Sequence, residues 1–146
     1  MNALNNEILE SFAEIHRAIY KLVKKDADSL GITVVQLKAL YKLSATPDIG
    51  LGDLAEKLRL TNSTVSGVID RLVQNGFVER TVPPENRRVI SIHLTQKGND
   101  ILEKLFSSES LLIKKMRDVI DLPEEEKKNL IRLHELVLSK ISIEED

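Results

Sequence analysis

The segment that most limits how this chain can fold is LGDLAEKLRLTNSTVSGVIDRLVQNG (Leu51 to Gly76), with the two alternating runs that follow it at once. Leu54, Leu58, Leu60, Val65 and Val68 are apolar and Ala55 is small. Two helices that cross near perpendicular over a turn at Arg59-Leu60-Thr61 need that pattern. Leu54 and Leu58 are expected to face the second helix, Leu60 to plug the turn, and Val65 and Val68 to return the contact, with Ala55 at the closest approach. Arg59 stands where such turns often carry glycine. Gly76 offers a left-handed end to the second helix. FVERTV and VISIHL then alternate as strands and pair across the loop from Pro83 to Arg88. A helix-turn-helix followed directly by a β-hairpin is a winged helix, and the joint arrangement is far more specific than either half.

The flanks read as helices. Residues 4 to 24 place Ile8, Phe12, Ile15, Ile19 and Leu22 at spacings of 4, 3, 4 and 3, a narrow apolar seam suited to a partner helix. Leu30-Gly31-Ile32-Thr33 breaks it. Thr33 caps a second helix with Leu37, Leu40, Tyr41 and Val34 inward, and Pro47 and Gly50 mark a loop. After the wing, Thr95 caps one long helix expected from Gln96 to Ile120, with Ile101, Leu105, Leu112, Met116 and Val119 as its stripe. Pro123 and Glu124 to Glu126 suit the start of a last helix, in which Leu130, His134, Val137 and Ile141 repeat the 4, 3, 4 seam. The fold class is therefore mainly α with a small β-hairpin wing. A single domain, 1–146, is expected to divide into an N-terminal dimerisation helix at 4–30, a winged core at 33–98 and C-terminal dimerisation helices at 96–146. Within the core the helix-turn-helix spans about 51–75 and the wing about 77–95. Terminal helices too long for one small core suggest a two-fold dimer.

Composition narrows function. The 146 residues are 42% hydrophobic, 30% charged and only 3% aromatic, so the core must be aliphatic. Without cysteine there is no disulfide, thiolate zinc site or cysteine redox switch. No leader and no membrane span are read, and the chain is expected to be cytoplasmic. The net charge of −2 conceals six cations against three anions between Arg59 and Lys97, and four against eight from Asp121 to Asp146. A basic middle argues for an anionic partner there. His16, His93 and His134 lack the spacing of a metal site, and no cofactor is expected. No carboxylate pair, nucleophile triad or phosphate-cradling glycine loop argues for an enzyme.

LTNSTVSGVIDRLVQNGFVERTVPPENRRVISIHLTQKG closely resembles the winged helix of the multiple antibiotic resistance regulator (MarR) family. The marks are Asp70 to Arg80, the paired Arg87 and Arg88, and Leu94 to Gly98; the helix order extends the likeness to nearly the whole chain. The resemblance implies a homodimer with intertwined terminal helices, pseudo-palindromic double-stranded DNA as partner, and often a small effector that releases it. Family wings commonly carry aspartates where Pro83 and Asn86 stand, so wing rigidity here leans on Pro83 and Pro84.

The second helix of the motif is expected in a major groove. Asn62 can pair with adenine, and Ser63, Thr64 and Ser66 can bond bases or phosphates, with Thr61 at the helix start. First-turn capping is the plainer role for Ser63 and Thr64. Gly67 removes bulk where backbone approaches DNA. One of Arg87 and Arg88 is expected in a minor groove and the other on Asp70, bracing the wing. Arg71 and Arg80 either touch phosphate or form structural ion pairs. His93 faces DNA or solvent. Ile8, Phe12, Ile15, Ile19, Leu130, His134, Val137 and Ile141 form the expected dimer interface. His16, Tyr20 and Tyr41 are candidate polar handles of an effector pocket, with an ordinary core or surface role as the alternative. A winged-helix module that binds a partner protein, with no operator, is the competing reading.

Overall fold

Asn6 opens the first helix by accepting the Ile8 N–H on its side chain at 2.8 Å. In the computed structural model, which describes residues 6–82, 84–85 and 90–143, that helix is α1 (Glu7–Leu30). It runs past the expected end at 24 because nothing before Gly31, at φ 70, lets the chain turn left-handed. Only its last two turns are buried, through Val23, Asp26 and Ala27. Ile8, Phe12, Ile15 and Ile19 lie exposed, so the expected seam is real and uncovered within one chain.

Thr33 starts α2 (Val34–Ala45) with a reciprocal capping box. Its Oγ1 accepts the Gln36 N–H at 3.1 Å while Gln36 Oε1 accepts the Thr33 N–H at 2.9 Å. Leu37, Leu40 and Leu43 of α2 are fully buried and form the centre of the core, each worth roughly 1.5–3 kcal/mol in apolar burial. The loop expected at 47–50 instead holds a short strand, β1 (Ile49–Gly50). Asp48, left-handed at φ 57, turns the chain so that Ile49 is buried and pairs with Ile92.

Helices α3 (Leu51–Leu58) and α4 (Asn62–Gln74) form the expected motif. Arg59 occupies the glycine-like conformation of the turn, at φ 55, and Leu60 donates its N–H to Ala55 O at 3.0 Å. Leu54, Ala55, Val65, Ile69 and Leu72 are buried. Leu60 does not plug the turn: the left-handed residue before it swings its side chain outward, and it is 36% exposed.

Two further strands, β2 (Val78–Thr81) and β3 (Ser91–Leu94), complete an antiparallel sheet in the order β1-β3-β2, with Val78 opposite Leu94 and Thr81 opposite Ser91. Thr95 caps α5 (Gln96–Lys104). The single helix expected from Gln96 to Ile120 is broken. A π-helical turn, Leu105–Glu109, leads to an extended Ser110 and a new helix, α6 (Leu111–Ile120). The cause lies on α1: Asp26, 1% exposed, accepts the Ser110 hydroxyl and the Leu111 N–H, each at 2.7 Å. This carboxylate caps α6 from another helix.

The chain divides into two compact units, Met1–Leu112 and Ile113–Asp146. In the second, α7 (Glu124–Ile141) follows Pro123, with three glutamates in its first turn. Leu130, Ile131, Leu133, Leu138 and Ile141 are exposed along it, a wider apolar arc than the expected seam. No described helix is long and apolar enough to cross a membrane.

Candidate nucleic-acid interface

Helix α4 is anchored on one face and bare on the other. Val65, Ile69 and Leu72 are fully buried, Val68 packs at the edge of the core, and Asn62, Ser63, Gly67 and Arg71 are exposed, with Ser66 half-buried. Thr61 is the N-cap. Its Oγ1 accepts the Thr64 N–H at 3.2 Å and donates to Thr64 Oγ1 at 2.9 Å. Capping therefore falls to Thr61, while Ser63 stays free of it and the Thr64 hydroxyl keeps its own hydrogen to donate. A methyl group added at Gly67 would meet nothing within 4 Å. Nothing in the chain's own packing calls for glycine there, although glycine costs about 1 kcal/mol mid-helix.

The helix is tied to the wing by Asp70, which forms an ion pair with Arg80 on β2. Arg80 thus has a structural ion pair, one of its two expected roles, and it holds the position on Asp70 that was expected of a wing arginine. Pro84 and Glu85 form an exposed turn. Pro83, Asn86, Arg87, Arg88 and Val89 lie outside the described residues, and so do the expectations placed on them.

His93 is engaged within the sheet. Its Nε2 lies 2.8 Å from Glu79 Oε1, and its Nδ1 lies 3.6 Å from Asp48 Oδ1 and 3.4 Å from Thr81 Oγ1. These contacts tie β3 to β2 and to the turn that leads into β1, at the root of the wing.

Sequence reasoning missed what fixes the far end of α4. Thr95 Oγ1 donates to Gly76 O at 2.5 Å, and Lys97 Nζ donates to Asn75 O at 2.8 Å while sitting 5.0 Å from the centre of the Phe77 ring. Gly98 packs so closely that a Cβ would stand 2.2 Å from Phe77 O. The residues Leu94 to Gly98 were read as a family mark; they act as a latch between α4 and α5. The paired signal was present in the sequence as Gly76-Phe77 and Thr95-Gln96-Lys97-Gly98, without the pairing itself.

Of the expected effector handles, His16 and Tyr20 are exposed on α1. Tyr41 is half-buried and stacks on Phe106 with ring centres 5.6 Å apart. Burial, with a smaller push from the Asp26 charge, raises its phenol to about 12. At the expected interface Leu130, His134 and Ile141 are exposed and Val137 is half-buried. Among the described residues no cluster of three or more His, Asp or Glu could hold a metal ion.

Comparison with known proteins agrees with this arrangement. The MarR family model matches residues 32–90, from just before α2 to the residue before β3. The chain is 30% identical to the uncharacterized HTH-type transcriptional regulator YfiV of Bacillus subtilis (strain 168) over 133 residues, which is 84% of this chain and 81% of that protein. It is 27% identical over 146 residues to the HTH-type transcriptional repressor YetL of the same strain, covering 96% of this chain and 84% of the repressor. In fold it is similar to S. aureus MepR in a complex with DNA, with a TM-score of 0.73 at 24% identity over 90% of this chain and 96% of that one.

Proposed function

The chain belongs to the MarR family, and from that premise we propose that it is a homodimeric repressor that reads a pseudo-palindromic operator and releases it when a small molecule binds. It is a DNA-binding transcriptional regulator. The observation that carries the finer reading is the bare face of α4: Asn62, Ser63 and Gly67 stand free on a helix whose opposite face is locked into the core.

In this reading the N-terminal turns of α4 enter a major groove. Asn62 pairs with adenine, and Ser63, Thr64 and Ser66 bond bases or phosphates. Gly67 lets the duplex come close, which accounts for a glycine that the fold itself does not require. The Asp70–Arg80 pair sets the wing strands against α4, and the wing carries Arg87 and Arg88 toward a minor groove, whose potential favours arginine. A two-fold dimer places the two recognition helices about one helical turn, or 34–36 Å, apart. An effector would act by binding more tightly to a lobe spacing that misses this repeat; His16, Tyr20 and Tyr41 are its candidate contacts. YetL is itself named a repressor and MepR has been seen on DNA, which supports assigning both properties to this chain.

The test is selection from random duplexes at two salt concentrations, for wild type, Arg88→Ala and Gly67→Ala. The expected outcome is an enriched palindrome, affinity that falls steeply with salt, and weaker binding by both variants. Gly67→Ala should lose about tenfold or more in affinity while gaining about 1 kcal/mol in stability. Wild type that enriches no sequence at low salt would instead favour a partner protein.

A further inference from the structure

The junction between α5 and α6 is interrupted by contacts from other helices, not by its own sequence. From Asn99 to Leu122 the chain holds neither proline nor glycine, and Ile101, Leu105, Leu112, Met116 and Val119 make one helical stripe. The departure from a helix is small. Ser110 donates its N–H to Leu105 O at 2.8 Å, one residue further back than in an α-helix. Its φ of −66 is already helical, and only its ψ of 113 is extended, where an α-helix has about −42°.

Two neighbours hold this conformation. Asp26 on α1 accepts the Ser110 hydroxyl and the Leu111 N–H. Tyr41 on α2 stacks on Phe106 inside the π-helical turn, and its phenol feels the Asp26 charge. Turning the Ser110 ψ into the helical range would offer the Leu111 N–H the Ser107 carbonyl and return the Ser110 N–H to the Phe106 carbonyl. The Leu111 N–H thus has two competing acceptors, Asp26 Oδ1 outside the helix and Ser107 O within it.

We propose that the contact of Asp26 with Ser110 and Leu111 is the latch of a two-state switch. Latched, α5 and α6 are separate helices; released, the chain from Gln96 to Ile120 is one helix. Packed elements with two discrete arrangements are what a ligand can bias, to the extent that it prefers one of them. Helix α5 gives the switch its reach. It is nine residues long, and its cap Thr95 and first-turn Lys97 hold the carbonyls of Gly76 and Asn75 at the end of α4. The state of the junction therefore bears on how α4 is held. The step from α4 to DNA rests on the operator reading; the switch itself does not.

Ser110→Ala removes the hydroxyl half of the latch and favours helix over serine. Asp26→Ala removes the acceptor of both groups. The Cα and carbonyl carbon shifts of residues 105–112, followed by NMR in the full-length protein, report the backbone. Wild type is expected to be extended at position 110. Ser110→Ala should move residues 107–111 toward helical values, and Asp26→Ala should move them further. Affinity for the duplex selected by wild type should change about fivefold or more in Ser110→Ala, although position 110 lies off the exposed face of α4. A position 110 that stays extended in both variants makes Asp26 a static cap and overturns the switch; where Asp26→Ala does not fold, Ser110→Ala decides alone. A helical junction with unchanged affinity overturns the link to α4. If wild type selects no duplex, the operator reading falls, and the carbon shifts alone decide the latch.

Discussion

Gly98 and Gly67 show how differently one residue type can be used. At Gly98 the obstacle to a side chain is the backbone carbonyl of Phe77, 2.2 Å from an added Cβ, and backbone cannot rotate away as a side chain can. Gly98→Ala should therefore destabilise by roughly 1–3 kcal/mol, as overpacking does, and should loosen the end of α4 that Lys97 and Thr95 hold. Urea denaturation checks the first effect, and amide exchange at Asn75 to Phe77 the second. At Gly67 the space is empty, so the same substitution has the opposite sign on stability. Tyr41 makes a third residue-scale prediction. Its phenol titrates near 12 when folded against about 10 unfolded. The unfolded chain thus loses the proton first as pH rises. The contribution is whole below about pH 10, is lost progressively between 10 and 12, and is absent in Tyr41→Phe. Denaturant midpoints of the two proteins across that window would show it, and parallel curves would refute it.

At the scale of elements, the junction of α5 and α6 depends on a residue far away in sequence. Asp26 satisfies both the Ser110 hydroxyl and the Leu111 N–H. Asp26→Ala removes the carboxylate that accepts from both groups beside a buried site, a loss on the order of 1–3 kcal/mol for a buried hydrogen-bonding partner. Asp26→Asn keeps one acceptor and should cost less. Denaturant unfolding of the pair gives the ranking, and equal losses would mean that the cavity, not the hydrogen bonds, sets the cost. This junction also marks what could not be read from the chain. Ile101, Leu105, Leu112, Met116 and Val119 fit one continuous helix, and neither proline nor glycine interrupts them after Gly98. The break is written in Asp26, which looks like any surface charge in KKDADS. Strand β1 was hidden for a similar reason, since two residues carry no periodicity and only pairing with β3 defines them. The helix-turn-helix and the wing were legible because local signals agreed: caps at Thr33 and Thr95, a left-handed Gly76, and alternation that places Val78 and Ile92 inside; the cap at Thr61 was not, since first-turn capping was expected of Ser63 and Thr64. The exposed face of α4 followed from its buried one. The Asp70–Arg80 pair did not, because it joins a helix to a strand whose relative placement only the fold supplies.

For the molecule as a whole, the exposed apolar residues weigh more than the net charge. A charge of −2 offers DNA no general attraction, so binding must come from local donors and cations and, in the proposed dimer, from the joint use of two recognition helices. A single chain leaves Ile8, Phe12, Ile15 and Ile19 uncovered on α1, and Leu130 and Ile141 uncovered on α7. Patches of that kind mark association surfaces, and a self-complementary pair is the commonest solution. Ile15 is 53% exposed, so Ile15→Glu should leave the chain's own core intact while placing a charge in the centre of the seam. The variant is expected to sediment as a monomer at concentrations where wild type is a dimer, and its melting temperature should no longer rise with protein concentration. Each protomer would still present an intact α4, so affinity for an isolated half-site should be unchanged. Affinity for the full palindrome should fall about 10²-fold or more, because the second half-site is no longer engaged at high effective concentration. A variant that stays dimeric would remove α1 from the interface. A monomeric variant that binds the palindrome as tightly as wild type would remove two-fold symmetry from the recognition mechanism.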